Sequence, residues 1–257
     1  MRKEFMHTSK SPRLLTLVII TVMVVLVLLA NRQEQAASQS RQKLEQERLK
    51  GDIEKVKRSQ AALPQAEYAA PEPQDLAVRQ LRKARGRRYP GGSTSFEDMP
   101  RDITEIAGVS REPFEPRGLP MEQSDLVVVG IIADAKGYVT EKKSTAYSEY
   151  TINITEVMKG SANLTGSQII AERFGAKVVL PSGRSILVWD ANRGMPETGH
   201  RYVLFLKYSP EGKDYLIITA YDLRDGRVMS IDRFPQCAFF DGNEETAFLD
   251  LVRSSVK

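Results

Sequence analysis

Between Leu14 and Ala30 the chain reads LLTLVIITVMVVLVLLA, without a charge, an amide, a glycine or a proline. As a helix rising about 1.5 Å per residue the run covers roughly 25 Å, close to the hydrocarbon thickness of a bilayer. Thirteen of its residues are Leu, Ile or Val, which together favour insertion by roughly 4–8 kcal/mol. Its two Thr are tolerable because a helical hydroxyl can bond back to its own backbone. A cleaved export signal has a shorter apolar stretch, about 7–15 residues, followed by a small-x-small site. Here the exit is Leu28-Leu29-Ala30-Asn31, with Leu where a small residue is needed, and the only cysteine, Cys237, excludes a lipoprotein signal. The expectation is a retained single-pass anchor over 14–30 behind a cytoplasmic tail, 1–13. Arg2, Lys3, Lys10 and Arg13 precede the run and Arg32, Arg41, Lys43 and Arg48 follow it, a tie by simple count. Their proximity and the α-amino charge favour the N-terminus inside, leaving the C-terminal part outside the cytoplasmic (inner) membrane.

Past the anchor the pattern changes twice. Residues 31–60 are rich in Gln, Glu, Lys, Arg and Ala, a composition that favours a solvated helix. This segment is expected to be a polar stalk, with one thin stripe of Leu49, Ile53 and Val56 through which a short coiled coil could oligomerise the chain. Residues 61–121 hold most of the prolines and no long apolar run. Such a stretch buries too little surface to offset chain entropy and is expected to be a disordered linker. Within it lies RQLRKARGRR, which carries Arg79, Arg82, Lys83, Arg85, Arg87 and Arg88 in ten positions. A solvated charged run is one reading; contact with an anionic surface or polymer is the other. No aromatic residues are interleaved, so nucleic acid is not the expected partner.

From residue 122 to 235 short β-branched runs recur between turn signals. SDLVVVGIIAD reads as a buried strand, and Tyr150, Ile152 and Ile154 alternate with Thr151, Asn153 and Thr155 at the period of a half-buried one. Further strands are predicted at 167–174, 177–180, 184–189, 201–208 and 215–221, joined by turns such as PSG and SPEGKD. DGRV adds a short hairpin. The last segment, 236–257, offers Asp241 or Asn243 as a cap and places Phe248, Leu251 and Val252 on one helical face. The expected class is mainly β: a closed barrel with a C-terminal helix packed on it.

The succession SDLVVVGIIADAK, YTINITEVMKG and GHRYVLFLKY resembles tissue-inhibitor-of-metalloproteinase and netrin-type modules, and a group of bacterial envelope proteins with the same strand order. The resemblance implies an OB-like barrel. It carries no inhibitory activity, because that family acts through an amino-terminal cysteine and a disulfide framework, neither of which Cys237 can supply.

Catalytic signatures are absent from the sequence: there is no HExxH, nucleophile elbow, phosphate loop or dinucleotide fingerprint, and the histidines are His7 and His200 alone. No metal, cofactor or catalytic residue is therefore expected. Ligand or partner binding is placed on the loop side of the barrel, at Trp189, Arg193, His200 and Arg201, because recognition concentrates on loops held by a rigid scaffold. The expected function is a non-enzymatic, membrane-anchored module engaging an envelope protein or anionic polymer. The rivals are an anchored or secreted hydrolase built around acids such as Asp222 and Asp225, and a structural envelope component that oligomerises through the stalk.

Overall fold

The computed structural model describes residues 50–51, 53–108 and 117–256. The predicted anchor at 14–30 and most of the stalk lie outside the described residues. The chain divides into two compact units, 1–52 and 53–257; both sheets and the C-terminal helix belong to the second.

The fold is mainly β with a C-terminal helix. Strands β3 (Leu126–Val139), β4 (Ala146–Lys159), β5 (Gln168–Phe174), β8 (Arg201–Ser209) and β9 (Asp214–Arg224) pair in the cyclic order β3-β4-β5-β9-β8, and β8 returns to β3. All neighbours are antiparallel except β5 and β9, which run parallel. The short β10 (Arg227–Ser230) extends β9 as a hairpin. A second sheet of order β1-β6-β7-β2 contains β6 (Ala176–Val179) and β7 (Ser185–Asp190), flanked in parallel by β1 (Gln65–Glu67) and β2 (Glu105–Gly108).

Period-two alternation explains how apolar runs such as LVVV and YVLFL can be buried throughout. Leu126, Val128, Tyr202, Leu204 and Leu206 enter one core cluster, together with Tyr150, Ile152 and Ile154 of β4. Their alternates Val127, Val129, Val203 and Phe205 enter another, beneath the C-terminal helix. β3 and β8 bury both faces along these runs, which therefore lack polar breaks. Register shifts in the β3–β4 pairing lie at Val127/Val128, Val129/Gly130 and Ile132/Asp134, where bulges bend these long strands. Gly130 is needed there, since a Cβ would lie 2.7 Å from Ile152 Cγ2.

The C-terminal helix is α4 (Glu245–Ser255). Its cap is Glu244, one residue beyond the predicted candidates; the Glu244 side chain accepts from Ala247 N at 2.8 Å. Phe248, Leu249 and Val252 are its buried residues, whereas Leu251 stays exposed. A short turn of helix, α3 (Pro235–Ala238), precedes it and buries Cys237 at 1% exposure.

The segment expected as a disordered linker is different in the structure. It supplies β1, β2 and a helix, α2 (Leu76–Gly86), capped by Asp75, and it buries Leu63, Ala66, Tyr68, Tyr89 and Phe96. Its scattered apolar residues do not build a core of their own. Ala66, Tyr68 and Phe96 instead complete a cluster with Val178, Ile186 and Val188 of the second sheet, so the surface that offsets chain entropy comes from residues far along the sequence. Residues 53–61 form a helix, α1, whose Val56 packs against the main core.

Candidate binding cleft and the buried charge cluster behind it

Helix α2 and the turn after it carry the basic run, whose members meet opposite environments. At the C-terminal end of the helix Arg85 reaches inward. Its guanidinium lies 2.8 Å from Glu149 Oε2 on β4 and 2.8 Å from Asp214 Oδ2 on β9, and it donates to the Gly212 carbonyl at 3.1 and 3.2 Å. Arg88 pairs with Asp214 Oδ1 at 3.0 Å and with Glu172 of β5. The Tyr89 hydroxyl donates to Glu172 Oε1 at 3.2 Å, and the Tyr147 hydroxyl to Glu149 Oε1 at 3.2 Å. The side chains of Glu172 and Asp214 are 0% exposed.

This cluster sets two guanidinium groups against three carboxyl groups. Burial opposes the charged form of Arg85, but Glu149 and then Asp214 outweigh it and hold the guanidinium above its ordinary pKa. Arg88 is held up likewise by Glu172 and Asp214 against burial. Glu172 carries the excess: burial and then the Asp214 charge push its carboxyl well above the usual carboxylate range, against the pull of Arg88. Its Oε2 has no hydrogen-bond partner, so the carboxyl is only half satisfied in its buried position.

With its end pinned this way, α2 presents Arg79, Arg82 and Lys83 over a cleft of about 570 Å³, within the usual size range of small-ligand sites. Its other walls are β1 with the following turn, and the turn joining β3 to β4. Arg79 pairs with Glu72 at 3.2 Å and Lys83 with Glu141 at 3.0 Å. The Arg82 guanidinium sits 4.4 Å from the centre of the Tyr138 ring, and the Lys143 ammonium 4.5 Å from that of Tyr68. Lys136 and Lys143 are exposed on the hairpin side. Among the described residues, no carboxylate forms an ion pair with Arg82, Lys136 or Lys143. The remaining basic residue, Arg87, is exposed and outside the cleft lining.

The residues predicted on the loop side are spread over several elements. Trp189, the residue before the last of β7, is 7% exposed, its indole N–H donating to Glu105 and the Arg233 guanidinium 5.1 Å from its ring centre. Arg193, 6% exposed, donates to the Ile218 carbonyl at 2.9 Å. His200 lies 3.6 Å from both Glu197 and Asp222, and beside Arg224. Arg201 pairs with Glu245 at the start of α4. Packing thus takes up Trp189 and Arg193, while His200 and Arg201 engage neighbouring acids.

Asp222 is buried, 2.9 Å from Arg224. Burial raises its pKa, while Arg224 and His200 pull it down. Asp225 is exposed in the β9–β10 turn, at φ 54. These acids therefore occupy unlike environments. Among the described residues no group of His, Cys, Asp and Glu is arranged to hold a metal ion.

Sequence reasoning missed Tyr68, Tyr138, Lys136 and Lys143 in the cleft and Glu149, Glu172 and Asp214 behind it. One signal was available: Glu172 and Arg173 stand side by side inside an otherwise apolar strand, and buried charges demand partners. Arg173 finds Asp232 on the other side of β5, and Glu172 finds Arg88. Comparison with protein-family models, with curated proteins and with solved structures gives no match.

Proposed function

We propose that the chain is a membrane-anchored binding module of the cell envelope, which displays an OB-like closed barrel outside the inner membrane and uses the α2 cleft for recognition. The carrying observation is the cleft itself: a basic helix locked by buried ion pairs holds Arg82 over the Tyr138 ring, the β3–β4 turn brings Lys143 over the Tyr68 ring, and neither cation is in an ion pair among the described residues. The cyclic pairing of five strands, with a single parallel contact between β5 and β9, supports the barrel reading. The apolar run at 14–30 supports the anchor, and the positive charges before it support an N-in orientation.

Placement and recognition are tested separately. Membrane fractionation followed by protease treatment of intact cells should leave the chain in the membrane fraction and digest residues 53–257 from outside. A full-length chain with intact first residues in a salt-washed soluble fraction sinks the anchor. Crosslinked partners recovered with the full chain should be lost from a chain lacking Gln123–Lys257; recovery of the same partners without that region sinks the binding module.

A further inference from the structure

We infer that the α2 cleft binds an acidic glycan segment, a short run of sugar rings bearing carboxylate or phosphate groups. The inference rests on the binding-module reading for its site, and names the ligand class that reading leaves open. Basic residues outnumber acids in the lining, with Arg79, Arg82, Lys83, Lys136 and Lys143 against Glu67, Glu72 and Glu141. The pairs Arg79–Glu72 and Lys83–Glu141 have side chains more than a third exposed and exchange readily with a bound anion. Arg82 is the strongest anchor: its guanidinium offers a planar fork for a carboxylate or phosphate, and stacking on Tyr138 pre-orients it.

The three glutamates decide between anionic ligands. A bare polyphosphate presents only acceptors toward the same walls, an oligoglutamate adds only the N–H groups of its backbone, and Glu67, Glu72 and Glu141 repel the dense charge of either. A sugar chain also carries hydroxyl donors, which those carboxylates can accept, while the C–H groups of its rings can pack on the exposed part of Tyr138. One ligand class therefore satisfies both signs of charge and the exposed part of the Tyr138 ring. A mixed lining of a few placed polar groups beside rings is also what orients small ligands in clefts of this size.

The test is titration calorimetry on the full chain in detergent, with a galacturonate tetramer and a phosphorylated mannose oligosaccharide as acidic probes. A neutral maltotetraose and a hexaglutamate peptide serve as comparators. At least one acidic glycan should bind more tightly than both comparators, and which one binds distinguishes carboxylate from phosphate. Arg82→Gln and Lys143→Gln should each weaken that binding about tenfold, whereas Arg87→Gln, outside the cleft, should leave it within about twofold. Equal or tighter binding of hexaglutamate, binding of neither acidic glycan, or equal losses in all three variants would overturn the inference. Thermal unfolding of each variant, matching the parent, guards against a folding defect. None of these readouts depends on membrane placement, so failure here leaves the anchor to be judged by fractionation alone.

Discussion

One short helix and the turn that follows it give basic residues opposite tasks. Arg85 and Arg88 are drawn against Glu149, Glu172 and Asp214 from β4, β5 and β9, and their side chains are only 10% and 15% exposed. Arg79, Arg82 and Lys83, within ten residues of them, line an open cleft with exposed partners or a tyrosine ring. A charge taken from water needs a well-placed counter-charge, and the inner pair obtains several hydrogen bonds each. The outer group gives up little solvation and remains available. The inner arginines are thus structural, and what they hold in position is the outer surface.

The contrast is sharpest on removal of an inner arginine. Arg85→Ala leaves Glu149 and Asp214 short of their shared cation beneath α2, and should destabilise the chain by roughly 3–5 kcal/mol. Denaturant unfolding followed by the fluorescence of the only tryptophan, Trp189, measures this. A cost below about 1 kcal/mol would place the inner cluster on the same footing as the surface pairs. Tyr89→Phe removes the hydroxyl that donates to Glu172 and should cost about 1–2 kcal/mol in the same assay.

The inner cluster also has a pH signature. The Glu172 carboxyl is raised above its ordinary 4.5 in the folded chain, first by burial and then by Asp214. Folding therefore keeps a proton that the unfolded chain has lost. Its contribution to stability is fully present below the unfolded value and declines as pH rises through the folded one. Replacing Glu172 by Gln should flatten this decline of the melting temperature with rising pH. An unchanged slope would show that the excess charge is relieved elsewhere. The smallest effect belongs to the outer side: Arg79→Ala and Lys83→Ala each break one exposed pair and should change stability by less than about 1 kcal/mol.

How much of this was legible in the chain differs by region. The strands were readable because their signal is local: Tyr150, Ile152 and Ile154 alternate with polar neighbours, and β8 and β9 begin within a residue of the predicted limits. The C-terminal helix was readable from Phe248 and Val252, although its cap moved to Glu244. The candidate site was hardly legible. Arg85 and Arg88 looked like members of a solvated run because their partners lie 127 and 126 positions away, at Gly212 and Asp214. Tyr68 and Phe96 were isolated aromatics in a proline-rich stretch, with nothing nearby to pack against.

By itself the sequence determined a 17-residue apolar run long enough to cross a bilayer, a set of β-strands and an amphipathic end. These follow from periodicity and length, which act over neighbouring residues. Only the tertiary structure decided that residues 63–108 join the fold and that a run of like charges divides into a buried clamp and an open cleft wall. Desolvation is the physical reason: whether an arginine is bound inward or left in water depends on which carboxylates the chain brings to it, and those come from strands that local sequence cannot place.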